Sequence, residues 1–440
     1  MASARDFRAV PGLPKNLTHA LTAVHLRWVF IAVFACAYVL IAVENGVGTH
    51  INRAAAAFCG AVAMVLLGAV SLDQAYLCVD WNTILFLLGI MILVAHFQIS
   101  GFFEWVASRT AALARTRVEL LVFLVFTSGL LSAFFVNDTI CLVFAPVVLE
   151  ITERLDLPPI PYLTALVTAA NIGSVMSVTG NPQNAFIGIT AHFSFFDFLV
   201  RMAPISLVGL SLDALTLALM FRKSLFGHPD LSRAAGKIKA PLDKTLLVKC
   251  ALAAAVLAGL WAAGFSFPLA AAAVAALILV IGRVKTAEIH AQVDWELLLF
   301  FASLFILIQG FEASGATAVL LRLVAPALKG SAGSRLAAAG GAMLVLSNLV
   351  SNVPAVILAH PVIEAAGHNR MLWLTVAASS TLAGNLTPIG SMANLIVLEQ
   401  AGEKAAIGFW RFVRVGALVT AATLIAALAI LSLESRMGMI

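Results

Sequence analysis

One 22-residue apolar segment occurs twice in this chain. DWNTILFLLGIMILVAHFQISG runs from Asp80 to Gly101, and DWELLLFFASLFILIQGFEASG runs from Asp294 to Gly315. Nine positions are identical, including Asp80/Asp294, Trp81/Trp295, Phe97/Phe311 and Gly101/Gly315. Each copy is long enough to cross a bilayer as a helix. Two further matches keep nearly the same spacing. SAFFVNDTICLVFAP from Ser132 returns as SNLVSNVPAVILAHP from Ser347, and GNPQN from Gly180 returns as GSMAN from Gly390. The chain is therefore a duplicated unit. A polar N-terminal tail (1–25) precedes transmembrane repeat 1 (26–222). A cytoplasmic linker (223–243) leads to transmembrane repeat 2 (244–440).

Composition says what surrounds these repeats. Apolar residues make up 62% of the chain and charged residues 11%, too few to cover a water-facing surface. Lipid removes that requirement, so the bilayer is the first partner. The charges collect in the tail, the linker and short loops. A net charge of +5 needs no nucleic-acid partner, because Lys and Arg are retained on the cytoplasmic side of membrane proteins. The five cysteines show no CxxC or Cys/His spacing, so neither a metal nor a disulfide framework is expected. No cleavage site follows the first apolar run, which reads as a retained span starting at Leu26.

Each repeat holds five full spans and one interrupted pair. In the first the spans are 26–44, 54–71, 82–98, 162–190 and 197–222, with an amphipathic segment at 102–116. The pair 118–135 and 139–153 meets at Asn137-Asp138. In the second they are 245–264, 267–282, 296–310, 370–400 and 408–433, with a short segment at 316–328 and the pair 336–350 and 354–365. Five is odd, so the repeats face opposite ways. The expected fold is an all-α polytopic membrane protein of two inverted repeats, with two re-entrant hairpins and two broken helices. Counting Lys and Arg places the central loop on the cytoplasmic side of a bacterial inner membrane, although the basic tail argues the other way.

Polar residues interrupt the apolar text at four places, two per repeat. They are Asn137-Asp138-Thr139; Gly173 to Asn184, with Ser177, Thr179, Gly180 and Asn181; Ser347 to Pro354, with Ser351 and Asn352; and Gly384 to Asn394, with Asn385, Thr387 and Gly390. Unwound backbone at membrane depth is tolerated only where protein buries it or it lines a wet cavity. Matched breaks in two inverted halves point to a transporter's central site. Helix ends there offer N–H groups to anions and C=O groups to cations. The bland alternative, kinks and helix-packing residues, accounts poorly for four breaks at equivalent positions.

Asp138 is the one carboxylate in a break, and reads as a coupling acid or as a cap for the helix that follows. Glu312, Gln98, His96 and His360 read as packing or interfacial residues. Asp80 and Asp294 read as helix caps beside interfacial Trp81 and Trp295.

These breaks resemble the ion transporter superfamily with a citrate-transporter-like domain, which includes divalent-anion/sodium symporters and arsenite/antimonite efflux permeases. The likeness covers nearly the whole chain, and Asn137-Asp138-Thr139 with Gly180-Asn181-Pro182-Gln183-Asn184 is most similar to permeases near the arsenite branch. It implies that the tips at Val136–Thr139 and Ser351–Pro354 hold the substrate, with a sodium site near Asn137, Asp138 and Gly180. The symporter tip pattern is Ser-Asn-Thr; here the first tip lacks the Ser and the second the Thr. The Asn-Asp pair resembles the efflux branch, which implies an exchangeable proton. The resemblance also implies a homodimer, through spans 26–44 and 245–264.

The expected function is secondary active, alternating-access transport of a small anion or oxyanion such as a carboxylate, sulfate or arsenite. The alternative is proton-exchanging efflux of a neutral or cationic solute, of arsenite/antimonite or sodium/proton type. The coupling ion is sodium or a proton, and no cofactor is expected. No Lys or Arg falls in the breaks, so an ionised Asp138 beside an anion calls for a compensating cation. No GxxxxGK[ST] motif supplies ATP drive. No HExxH or paired acids support an intramembrane enzyme, and a passive channel remains the other rival.

Overall fold

The computed structural model describes residues 15–42, 52–227, 231, 241–324, 330–367, 369–402, 405 and 407–437. Residues 1–14 of the tail and most of the linker lie outside them. Among the described residues the protein is all-α. Repeat 1 contributes α1 (Lys15–Ala42), α2 (Arg53–Leu66), α3 (Leu72–Cys78), α4 (Trp81–Ile99), α5 (Phe102–Leu113), α6 (Arg117–Phe134), α7 (Asn137–Arg154), α8 (Pro159–Ser174), α9 (Pro182–Thr190) and α10 (Phe195–Met220). The short α11 (Arg222–Leu225) begins the linker. Repeat 2 returns the series as α12 (Lys244–Ala262), α13 (Phe267–Gly282), α14 (Thr286–Gln292), α15 (Trp295–Ala313), α16 (Ala316–Val324), α17 (Ala332–Val350), α18 (Asn352–Ala365), α19 (Arg370–Ala383), α20 (Met392–Ala401) and α21 (Phe409–Arg436). A 3-10 turn, Pro388–Gly390, separates α19 from α20.

Seven described helices are long and apolar enough to cross a membrane. Shorter apolar helices include α2, α13 and α18. Two details differ from the expected spans. α1 starts at Lys15, inside the stretch read as tail. The helices α3 and α14 replace loops ahead of Asp80 and Asp294, too short and too polar to show a period in the sequence.

Local chemistry explains the boundaries. Asp294 Oδ1 accepts from the Leu297 backbone N–H at 2.9 Å, capping α15. Gly101 and Gly315, a matched pair, end α4 and α15 with the same left-handed φ of 77°, which only glycine adopts cheaply. The linker closes on the turn at Gly101: Asp243 N–H donates to the Ser100 carbonyl at 2.9 Å, and a Cβ on Gly101 would collide with the Pro241 carbonyl. Pro146 inside α7 and Pro361 inside α18 stand at equivalent places in the second legs of the two hairpins.

The described chain forms two compact units, each drawing on both repeats. The smaller comprises 1–80 and 299–323. Within it Phe34 stacks on Tyr38 and on Phe311, each at 4.2 Å between ring centres, and Gly60 lets α2 approach Ala37 and Leu307. The larger comprises 81–298 and 324–440 and contains every break. There α6 packs on α8 and α17 on α19, while α10 and α21 pack on each other and on α8 and α19. His96 is buried in α4, with Nδ1 2.7 Å from the Ile92 carbonyl and its ring against Gly282.

Candidate functional site

The two hairpin tips and two broken helices meet in the larger unit as one asparagine-rich lattice. α6 ends at Phe134 and α7 begins at Asn137; α8 ends at Ser174 and α9 begins at Pro182. In the second repeat α17 ends at Val350, α18 begins at Asn352, α19 ends at Ala383 and α20 begins at Met392.

The hub is Asn171, one turn before the end of α8 and fully buried. Its Nδ2 donates to Asn385 Oδ1 at 2.8 Å and Asn394 Oδ1 at 3.0 Å. Its Oδ1 accepts from Asn137 Nδ2 at 3.0 Å and Ser391 Oγ at 2.9 Å. Two donors and two lone pairs are the whole capacity of an amide, so Asn171 is saturated. It ties the first tip to the second repeat's break. Thr381 in α19 is the counterpart, accepting from Asn181 Nδ2 at 3.3 Å and Gln183 Nε2 at 3.1 Å. Each repeat thus reaches into the other's broken helix.

Every predicted residue lies at or beside this lattice. Asn137 N–H donates to the Gly180 carbonyl at 3.0 Å. Ser177 Oγ bonds the Ala133 carbonyl and receives Thr179 N–H at 3.1 Å. Asn181 caps α9, its Oδ1 accepting from Asn184 N–H at 2.8 Å. Asn184 Nδ2 spans the carbonyls of Ser174 and Ser177, both at 3.1 Å. Asn394 Nδ2 does likewise to Gly384 at 2.7 Å and Thr387 at 2.9 Å. Thr387 Oγ1 donates to Asn348 Oδ1 at 2.9 Å. The Asn352 amide faces the Ser380 and Gly390 carbonyls, and with its nitrogen turned toward them it donates to both, at 2.8 and 3.2 Å. A Cβ on Gly180 would collide with the Ser174 carbonyl. Ser351 holds the second tip at φ 72°, ψ 163°, a region that side chains avoid. Asp138 and Thr139 sit half-buried in the first turn of α7.

The sequence reading placed Ser174, Gln183 and Ser391 inside the breaks without making them binding residues, and left out Asn171 and Thr381. Asn171, Ser174 and Thr381 lie within or at the end of apolar helices, and their partners are distant in sequence. The signal for Asn171 was an amide in LVTAANIGS with no turn to explain it.

The lattice contains no basic side chain. Asn137 Oδ1, Asn184 Oδ1, Ser132 Oγ, Ser347 Oγ and Ser379 Oγ are buried without a partner among the described residues. Ser132 and Ser347 are matched positions. α9 has a side-chain cap, whereas α7, α18 and α20 begin without one. The site therefore offers backbone N–H donors, amide acceptors and hydroxyls, with the Asp138 carboxylate beside the first tip.

Comparison with known proteins agrees with this architecture. The family model described as citrate transporter matches residues 38–377. A 46 kDa membrane protein of Mycobacterium leprae (strain TN) is 30% identical over 413 residues, covering 89% of this chain and 94% of its own. A silicon efflux transporter of Oryza sativa subsp. japonica is 29% identical over 434 residues, covering 83% and 89%. Among solved structures, the Alcanivorax borkumensis YdaH transporter, noted for an unusual topology, superposes with a TM-score of 0.55. It covers 94% of this chain and 98% of its own at 12% identity, a likeness of fold alone. With duplicated breaks buried in an all-α multi-pass membrane protein, the chain belongs to the citrate transporter family and is a transporter, not an enzyme.

Proposed function

We propose that the protein is a secondary active, alternating-access transporter that carries a small oxyanion or its parent oxyacid, such as a carboxylate, sulfate or arsenite, coupled to sodium or a proton. The observation that carries this reading is the neutral lattice at the breaks. Uncapped N-termini of α7, α18 and α20 favour solute oxygens bearing partial or full negative charge. The absence of Lys and Arg from the lattice leaves such a charge to be balanced by a coupling cation. Asn137, Asp138 and Gly180, with the tips at Ser351 and Asn352, would form the binding surface. The unpartnered acceptors Asn137 Oδ1 and Asn184 Oδ1 favour a second reading: exchange of a neutral hydroxylated solute for a proton, supported by a relative named for silicon efflux.

On this reading the repeats at 26–222 and 244–440 sit in a bacterial inner membrane with the central loop cytoplasmic. Apolar residues on α1 (Trp28, Val39) and on α12 (Val248, Leu252) are exposed to lipid or to a second copy in a homodimer. The test is flux of succinate, citrate, sulfate, arsenite and silicic acid into proteoliposomes under imposed sodium or proton gradients. One solute moving saturably with one gradient supports the proposal. Gradient-independent, non-saturable leakage of all five sinks it in favour of a channel.

A further inference from the structure

Asp213 stands outside the lattice. It lies on α10, fully buried, seven residues or about 10 Å from the helix end. An acid buried at hydrocarbon depth is costly and calls for a role. Helices α6, α8, α11, α12, α19 and α21 pack against α10. Their charged and titratable side chains are Arg117 and Glu119; Tyr162; Arg222 and Lys223; Lys244, Lys249 and Cys250; Arg370; and Arg411, Arg414, Glu434 and Arg436. All lie within the first or last two turns of their helices. On α10 itself Asp197 and Arg201 are at least twelve residues away, about 18 Å. Among the described residues, the side chain hydrogen-bonded to Asp213 is Thr168.

Proton counting at Thr168 is informative. Thr168 Oγ1 stands 3.0 Å from Asp213 Oδ2 and 2.9 Å from the Thr164 carbonyl oxygen. A hydroxyl has one proton. If Thr168 gives it to Thr164, Asp213 must supply the proton for its own bond; if Thr168 gives it to Asp213, the Thr164 carbonyl keeps only its helical bond from the Thr168 backbone N–H. Both bonds form together only when Asp213 is the protonated partner. Asp213 Oδ1 is buried with no partner among the described residues. One hydroxyl is too small a shell for a metal cation, which gathers six or more oxygens, and is enough for a proton.

The pair also reaches the solute site. The Thr168 carbonyl accepts from Asn385 Nδ2 at 3.2 Å, and Asn385 Oδ1 accepts from the hub Asn171. We propose that Asp213 carries the proton whose movement is coupled to solute transport, with Thr168 linking it to the lattice. This deepens the transport reading above and rests on it. On ionisation one proton leaves the carboxyl for water, and the Thr168 hydroxyl turns from Thr164 to the carboxylate. No other bond changes.

The test has two arms on the full chain. Infrared spectra of wild type at neutral pH should show the C=O stretch of a protonated carboxyl. That band should vanish in Asp213→Asn and shift in Thr168→Val, which keeps the side chain's shape and removes its hydroxyl. In proteoliposomes, stimulation of arsenite or silicic acid flux by a proton gradient should fall at least tenfold in Asp213→Asn, while solute counterflow persists. If Asp213→Asn does not fold, Thr168→Val carries both arms, with a shifted band and weakened stimulation. A band unchanged in both variants overturns the proposal, as does full stimulation in Asp213→Asn. A wild type that shows the band but moves neither probe overturns the transport reading for those solutes and leaves Asp213 protonated.

Discussion

Asn184 and Asn394 donate a matching pair of hydrogen bonds in the two repeats. Each amide nitrogen donates to backbone carbonyls ten and seven residues back, Ser174 and Ser177 for Asn184, Gly384 and Thr387 for Asn394. In each broken helix the side chain that restarts the helix satisfies carbonyls released where the previous one stopped. Unpaired carbonyls at membrane depth are costly. The two asparagines therefore make the breaks stable, and they do so without introducing a charge.

Replacing either asparagine with alanine removes at least two buried hydrogen bonds, although Ser174 keeps the Asn181 amide and Ser177 and Thr387 keep the Gly180 and Gly390 N–H groups as donors. At about 0.5–1.5 kcal/mol for each hydrogen bond lost, Asn184→Ala and Asn394→Ala should each destabilise the protein by about 1–3 kcal/mol. Thermal unfolding in detergent checks this, and an unchanged midpoint for both variants would show that the breaks hold themselves.

The glycines opening the two return segments differ in tolerance. A Cβ at Gly180 collides with the Ser174 carbonyl, whereas at Gly390 the nearest atom is the Gly384 carbonyl at 2.9 Å. Gly180→Ala should cost about 3 kcal/mol or more and Gly390→Ala about 1–2 kcal/mol. Denaturation of the two purified variants, side by side, should give that order.

Strain is stored at the second tip. Ser351 at φ 72° costs about 1–3 kcal/mol, which glycine removes at a smaller entropic cost. Ser351→Gly should therefore raise stability by about 1 kcal/mol. A lower unfolding temperature would mean that the Ser351 side chain contributes a bond that outweighs the strain.

An ion cluster joins the starts of α10 and α19. Asp197 accepts from Arg201 Nε at 2.7 Å and from Arg370 at 2.5 Å, and Arg370 lies 4.4 Å above the Phe193 ring. Its groups are partly exposed, and solvent screening holds such pairs to about 1 kcal/mol. Asp197→Asn should lower stability by no more than about that amount, and the loss should shrink in high salt. A salt-independent loss would place the effect in packing and not in charge.

The repeat at Asp80 and Asp294, the tips at Asn137 and Asn352 and the returns at Gly180 and Gly390 were legible because they break or repeat apolar text locally. Asn171 was not. It sits inside a continuous helix, and its partners Asn385 and Asn394 are 214 and 223 residues away, a pairing that only packing reveals. Asp213 left a plainer mark, a lone acid in the run ISLVGLSLDALTLAL. It lies inside an unbroken span, where no interruption of the apolar text marks it. The helices α3 and α14 escaped because seven residues give no usable period.

The account stands on solute passing the asparagine lattice, and counterflow through Asn137→Ala proteoliposomes tests that most directly. Asn137 keeps one amide oxygen free at the first tip, and its loss removes a single side-chain bond, to Asn171. The account predicts saturable counterflow of one of the five solutes by wild type and at least a tenfold drop in the variant, with the protein still folded. Counterflow at the wild-type rate in Asn137→Ala would contradict it and move the path away from the breaks.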